Sequence, residues 1–472
     1  MNINDTLRYQ NIGLPEDVQF KKAAGDFKGA IRLIDLRLQE DNLPKVLRAG
    51  LQVQREILLR LPEEFPYTKE QALKIVQEKV ADFTAEELDT YIDQRKIRWI
   101  YIDGQVHIFN RFFNSLCKTE ADFRQRAGVI LPGVESAVNG TAEASLLDIS
   151  MKKMKEQGSM SNRFRIRATL KVKDEVYKQG MFVRAHLPIP SACQQQSDIV
   201  IEKMYPENGN VASEDALQRT VCWEEYMQEN HEFVVEYSYV HTARYTEAYE
   251  PEKCQISVDM TKACLDQPAE SDLEEQEPHI VFTPYIRELC NELTAGMTDP
   301  LDKARAFYDF ITVNMKYTFM PSYFVLENIA ESCARNYNGD CGVFALLFLT
   351  MCRYAGIPAQ WQSGLAAEPD FCGGHDWVRF YVKPFGWIFA DPSYGTGAVR
   401  LGKEERRRFY FGNLDPYRLV CNRAFYAPFT VEKQQWRADP YDNQLGEMET
   451  DEKGLLFDEY IRTKEILLCE EI

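Results

Sequence analysis

The sequence predicts an α+β protein of several domains, and three changes of residue pattern predict it. Residues 1 to about 130 show helical spacing and helix-start signals. From Arg163 the apolar residues alternate as in strands, and after an acidic stretch a helical pattern returns and gives way to paired strands near 375–391. At 472 residues the chain exceeds what one core holds, so roughly two to four domains are expected. Its 45% hydrophobic and 12% aromatic content is enough to pack them.

Composition excludes several functions before any motif is read. A net charge of −18 argues against nucleic acid and anionic membrane as partners, because both require a cationic surface. The opening Met1-Asn-Ile-Asn-Asp-Thr-Leu-Arg8 has no basic stretch leading into an apolar one, so no secretory signal is expected. The longest nearly uncharged apolar run, 342–352, is about half the ~20 residues of a membrane span. The expectation is a soluble, cytoplasmic protein. Twelve cysteines form no C-x-x-C pair and no paired histidines accompany them, so neither a metal site nor a cofactor is expected. In a reducing compartment most of these are thiols packed as small hydrophobes.

The first domain spans 1–150 and is mainly helical. Ile31, Leu33, Ile34 and Leu38 lie at roughly helical spacing. Thr68-Lys69-Glu70-Gln71 fits a capping box, and Phe83-Thr84-Ala85-Glu86-Glu87-Leu88 adds a hydrophobic staple. Residues 97–102 and 106–109 then flank Asp103-Gly104, a hairpin signal. Helices followed by a hairpin suggest a winged-helix-like module. No basic cluster marks a helix face, so packing or docking of a protein partner is expected there, with His107 structural.

A connecting helix at 145–161 ends near Gly158 and leads into a second domain, 160–260. Phe164, Ile166, Ala168, Leu170 and Val172 share one strand face, and further strands are expected at 181–187, 199–204 and 233–240. Pro188-Ile-Pro190 and Pro206-Glu-Asn-Gly209 separate them, which predicts an antiparallel sandwich. The acidic run 266–278 reads as an exposed linker. A third domain, 279–430, contains Asp299 as a helix cap with Pro300 behind it, then Leu301, Ala304, Tyr308, Ile311 and Met315 on one face. Residues 431–472 read as a C-terminal extension, exposed at 447–453.

The third domain carries the chemistry. Asn338-Gly339-Asp340-Cys341-Gly342 runs into the apolar stretch 343–352, which Gly356-Ile357-Pro358 stops. Cys341 is thereby placed at the first turn of a buried helix, where open N–H groups and the dipole favour thiolate. His375-Asp-Trp-Val-Arg-Phe-Tyr-Val382 alternates as a strand, and Trp387-Ile-Phe-Ala-Asp391 is the return strand, ended by Pro392. A loop with an odd number of residues would set Trp377 opposite Asp391 and put His375 and Asp391 on one side; an even loop would separate them. A cysteine, a histidine and an orienting aspartate are the parts of acyl transfer. The backbone N–H of Cys341 is one candidate oxyanion donor and Tyr317 a second. Each residue alone also has a structural reading: a packed thiol, a core histidine beside Trp377, and an aspartate that opens a turn.

Gly339-Asp-Cys341, Arg353-Tyr-Ala-Gly356-Ile-Pro-Ala359, Gly364, His375-Asp-Trp377 and the run from Trp387 to Asp391-Pro392 closely resemble the transglutaminase-like core over 299–395. The likeness extends to bacterial members with an N-terminal β domain. Arg184 to Pro190 followed by Gln194 to Gln196 looks like their proline-rich strand segment, and Phe409-Tyr-Phe-Gly-Asn-Leu-Asp415 like their post-core segment. The resemblance implies a papain-like α+β core with a triad carried onto Cys341, His375 and Asp391. Family members cross-link proteins, cleave peptides, act as deglycosylating amidases or serve as inactive scaffolds. The reaction expected for this chain is hydrolysis of peptide or amide bonds through a thioester, on a peptide or protein substrate. Protein-glutamine transglutaminase and a non-catalytic scaffold are the alternatives. No acidic loop matches, so calcium is not implied. Asp376, where members often carry Ala or Cys, is expected to face away from His375. Two minor features remain: Arg406-Arg407-Arg408 predicts a solvated helix face, and Cys333 and Cys372 are candidates for a redox-sensitive approach to Cys341.

Overall fold

A computed structural model describes residues 2–130, 145–251 and 267–472, and the chain falls into two units. Cys254, Cys264 and Asp266 lie outside the described residues. The first unit combines the N-terminal part of the chain with Gln276–His279 and Lys316–Asp340; the second holds the rest.

In the first unit, Thr68 and Thr84 start the helices Lys69–Gln77 and Ala85–Asp93, each with both hydrogen bonds of a capping box. Tyr67–Thr68 (β1), Trp99–Ile102 (β2) and Gln105–Ile108 (β3) form a sheet in the order β1-β3-β2. The hairpin turns through Asp103 and Gly104 at φ +49° and +78°, the left-handed pair that suits a two-residue turn. His107 Nδ1 lies 3.0 Å from the Phe65 carbonyl, a structural role. The segment Lys316–Asp340, which the sequence puts in the third domain, is packed here by non-local contacts. The Arg60 guanidinium covers Phe324 at 3.8 Å, Ser322 N donates to Glu64 at 3.1 Å, and Arg98 Nη2 donates to Asn338 Oδ1 at 2.5 Å.

The second unit opens with the helix Leu146–Gln157, closed by Gly158 at φ +82°. Six strands follow: Ser159–Val172 (β4), Phe182–Pro188 (β5), Gln196–Tyr205 (β6), Asn210–Val211 (β7), Thr220–Tyr226 (β8) and Phe233–Arg244 (β9). A five-stranded antiparallel sheet comes later in the chain. It holds Ala359–Glu368 (β10), Phe371–Val382 (β11), Gly386–Ala390 (β12), Phe411–Gly412 (β13) and Arg418–Asn422 (β14), in the order β13-β12-β11-β10-β14. The helix Cys341–Tyr354 packs on β10 and β11 and on the helices Pro300–Asn314 and Pro392–Arg400. Leu301, Ala304, Tyr308, Ile311 and Met315 form the buried face of Pro300–Asn314 and its cap.

Two further strands change the reading of 431–472 as an extension. Glu447–Glu449 (β15) and Tyr460–Glu471 (β16) complete two four-stranded sheets, β15-β5-β8-β7 and β16-β4-β9-β6. The expected exposure of 447–453 fails at Glu447 and Glu449, both fully buried. Glu447 is held by Lys433 at 3.1 Å and Arg437 at 2.8 Å, and Glu449 by Arg184. Nor is the acidic run exposed throughout: Asp272 is buried and accepts from Gln360 Nε2 at 2.8 Å. The solvated face expected for Arg406-Arg407-Arg408 is also corrected, because Arg406 and Arg407 are buried. Arg406 Nε donates to Asp148 at 2.8 Å and Arg407 Nε to Glu404 at 2.7 Å, so carboxylates replace the water a lone guanidinium would need. No helix among the described residues is long and apolar enough to cross a membrane.

Candidate active site

Tyr337 closes the helix Ile329–Asn336 at φ +56°, and Asn338–Gly339 then runs as a short strand toward Cys341. The Tyr323 hydroxyl donates to Asp340 Oδ1 at 2.6 Å and fixes the residue just before the cysteine. Cys341 is the first residue of its helix and half-buried, while 342–353 are all buried. The sulfur therefore sits at the N-terminal end of a buried helix, beside the positive end of the dipole.

His375 lies in β11, opposite Gly364 of β10. Lys383, Pro384 and Phe385 make a three-residue loop between β11 and β12, and pairing runs from Val382↔Gly386 to Val378↔Ala390. This is the odd-loop register, whose next step sets Trp377 opposite Asp391. Both side chains are buried, and a hydrogen bond of 2.7 Å joins His375 Nε2 to Asp391 Oδ2. Asp391 also caps the helix Pro392–Arg400, its Oδ1 accepting from Tyr394 N at 2.9 Å. Asp376, next in sequence to His375, turns the other way as expected. It meets Gln444, which also donates to Asp442 Oδ2 at 2.6 Å.

Burial pushes the Asp391 carboxyl up, but the charges of His375 and Arg418 and its hydrogen bonds outweigh this and hold it below the usual carboxylate range. Burial pushes the His375 imidazole below its ordinary value; Asp391 opposes that shift and Arg418 adds to it. Tyr317, the second oxyanion candidate, belongs to the first unit. The Lys118 ammonium stands over its ring at 3.7 Å and Phe319 meets it edge-on at 5.8 Å, which are packing partners. None of the ten described cysteines forms a disulfide, Cys333, Cys341 and Cys372 included.

A family model described as the transglutaminase-like superfamily matches residues 287–392, a span that holds Cys341, His375 and Asp391. The chain carries a transglutaminase-like domain. Among solved structures, a proposed cysteine protease from Cytophaga hutchinsonii is 15% identical, with 66% of this chain and 91% of that one covered and a TM-score of 0.43. The periplasmic domain of TgpA from Pseudomonas aeruginosa is 14% identical, with 55% and 96% covered and a TM-score of 0.27. No curated protein matches the chain.

Beyond the matched span of the transglutaminase-like domain, the structure adds residues that the sequence reading missed. Arg418, the first residue of β14, brings Nη1 to 3.0 Å from Asp391 Oδ2 and is itself fully buried. Tyr394 lays its ring 4.7 Å from the His375 ring and donates its hydroxyl to Glu368 at 3.1 Å. The one available signal was a charged residue just ahead of an apolar strand, Arg418-Leu-Val-Cys421, three positions after Asp415.

Proposed function

We propose that this chain is a cysteine-nucleophile acyl-transfer enzyme that hydrolyses peptide or amide bonds through a thioester. The observation that carries the reading is the 2.7 Å bond between His375 Nε2 and Asp391 Oδ2, on a sheet packed against the helix that starts at Cys341. With Nε2 engaged, Nδ1 is the ring nitrogen left for proton transfer.

In the proposed cycle the Cys341 thiol gives its proton to His375 Nδ1, forming thiolate and imidazolium. The sulfur bonds to the substrate carbonyl carbon, and the Cys341 N–H stabilises the oxyanion that develops. Collapse breaks the C–N bond while the imidazolium passes its proton to the departing amine, leaving a thioester. Water then attacks the thioester with His375 as base, releasing the acid and restoring the thiol. A lysine amine in place of water turns the same cycle into a protein-glutamine transglutaminase, an outcome that exclusion of water favours.

Peptide and glutamine-donor substrates are expected to be turned over by the wild type and not by Cys341→Ala. Equal turnover by the two overturns the enzyme reading. Iodoacetamide at mildly acidic pH is expected to label Cys341 ahead of the other eleven cysteines; labelling at a common rate would leave a non-catalytic scaffold.

A further inference from the structure

The polar contacts of the His375–Asp391 pair continue to a buried arginine. Arg418 Nη1 stands 3.0 Å from Asp391 Oδ2, the oxygen that binds His375, at ion-pair distance though not aligned for a hydrogen bond. The other edge of the guanidinium is committed to Asp415. Arg418 Nε donates to Asp415 Oδ2 at 3.0 Å, and Nη2 bonds the same oxygen. Asp415 is fixed in turn, accepting from Tyr410 Oη and from Tyr417 N, each at 3.0 Å. Aromatic rings close the space around the cation, Tyr394 at 4.3 Å and Trp377 at 5.4 Å. Arg418, Asp391 and Asp415 are all essentially without solvent contact.

A buried arginine shared by two carboxylates leaves one negative charge over, which favours a proton on His375 against the burial that disfavours it. We propose that Arg418, clamped by Asp415, is a positioning residue for His375 and Asp391: it aims the Asp391 carboxylate at the imidazole and tempers the negative charge the imidazole feels. The inference deepens the cysteine-enzyme reading and rests on it for its catalytic meaning. Among the described residues, the other titratable groups around the pair and its clamp include Tyr394 on the helix Pro392–Arg400, Tyr308 on Pro300–Asn314, Tyr410 before β13, Glu368 at the end of β10, and His241 on β9, which feels both Arg418 and Asp415. All of these stay in place in the variants below.

The test uses the full chain. Removing Arg418 alone would strand Asp415 as a buried anion, so Arg418→Gln is combined with Asp415→Asn, which deletes the ion pair as a unit. Arg418→Lys keeps the charge. The first readout is the His375 imidazole titration by NMR in a Cys341→Ala background, which needs no turnover; the chain has six histidines, and His375→Gln assigns the signal. Arg418 is nearer the pair than Asp415, so the neutral double variant is expected to raise the His375 pKa by about one unit, while Arg418→Lys stays close to the parent. The second readout is kinetic. The double variant is expected to lower kcat by roughly ten- to a hundredfold with KM little changed, and to move the alkaline limb of kcat/KM upward. An unmoved titration and kcat in the double variant overturn the inference, as does an Arg418→Lys titration displaced as far as that of the double variant. If Cys341→Ala turns over substrate as fast as the wild type, the enzyme reading falls instead, whatever the titration shows.

Discussion

Asp391 serves three partners with two oxygens: Tyr394 N on Oδ1, and His375 and Arg418 on Oδ2. Asp391→Asn keeps the shape and the helix cap but presents an amide that cannot stabilise an imidazolium. We expect kcat to fall by roughly three orders of magnitude with KM nearly unchanged. The alkaline limb of kcat/KM should move to lower pH, because the carboxylate is what supports the protonated ring; this is the opposite direction from the Arg418 double variant. A kcat within tenfold of wild type would remove Asp391 from the mechanism. Cys341, His375 and Asp391 could be read from the sequence because each sits in a local setting that announces it: a helix start, a strand face, a proline stop. Arg418 could not. Its meaning lies in two carboxylates, one of them a helix cap 27 residues back along the chain, and arginine is a residue type rarely expected to be fully buried. Tyr317 pairs with Gly339, two residues ahead of Cys341 in the chain, and its ring packs on Lys118 and Phe319.

At the scale of elements, the histidine strand is seated by the close approach of its neighbours. Gly364 of β10 pairs with His375 on one side and Val420 of β14 on the other, at a shift in register beside Ser363. A Cβ at Gly364 would fall against the Leu419 carbonyl, which is backbone and cannot rotate away. Gly364→Ala is therefore expected to cost about 1–3 kcal/mol and to displace the strand that begins with Arg418, so urea unfolding should shift to lower midpoint while activity drops. An unchanged midpoint would mean that β14 yields without cost. Elements with a local physical signature were legible: both capping boxes, the Asp103-Gly104 turn, and the Asp299 cap that accepts from Leu301 N at 2.7 Å. The strands that escaped include β8, β10, β14, β15 and β16. Glu447-Met-Glu449 looks like surface because its charges are cancelled by partners outside its own strand, Lys433 and Arg437 for Glu447 and the distant Arg184 for Glu449, and β16 carries the lysine, arginine and glutamate of an edge strand.

On the scale of the molecule, buried histidines set the acid limit. Burial pushes His241 and His279 down to about 3 and His186 well below its ordinary value. The unfolded chain takes up protons at these sites near pH 6.5 while the folded chain does not, so stability is lost as pH falls from about 6.5 toward 3. Each such histidine contributes a slope of about 1.4 kcal/mol per pH unit in that window. His241 has both ring nitrogens buried without a hydrogen-bond partner among the described residues. His241→Leu should flatten the fall in urea stability between pH 6 and 4 by about that amount; an unaltered slope would show that the site admits a proton in the folded state. The α+β class and several of the antiparallel strands were readable from periodicity, whereas the membership of Lys316–Asp340 in the first unit was not, since only long-range contacts decide it. Long range also describes the pairing of β4 with β16: the Thr169 and Thr463 hydroxyls meet at 2.5 Å across 294 residues of chain. A ribosome thus releases β4 and β9, then the helix that starts at Cys341 and the strand of His375, long before it releases the strand that covers the free edge of β4. Through that interval the edge of β4 is unpaired and open to pairing with other strands. Birth order, as much as burial, decides when that edge is covered.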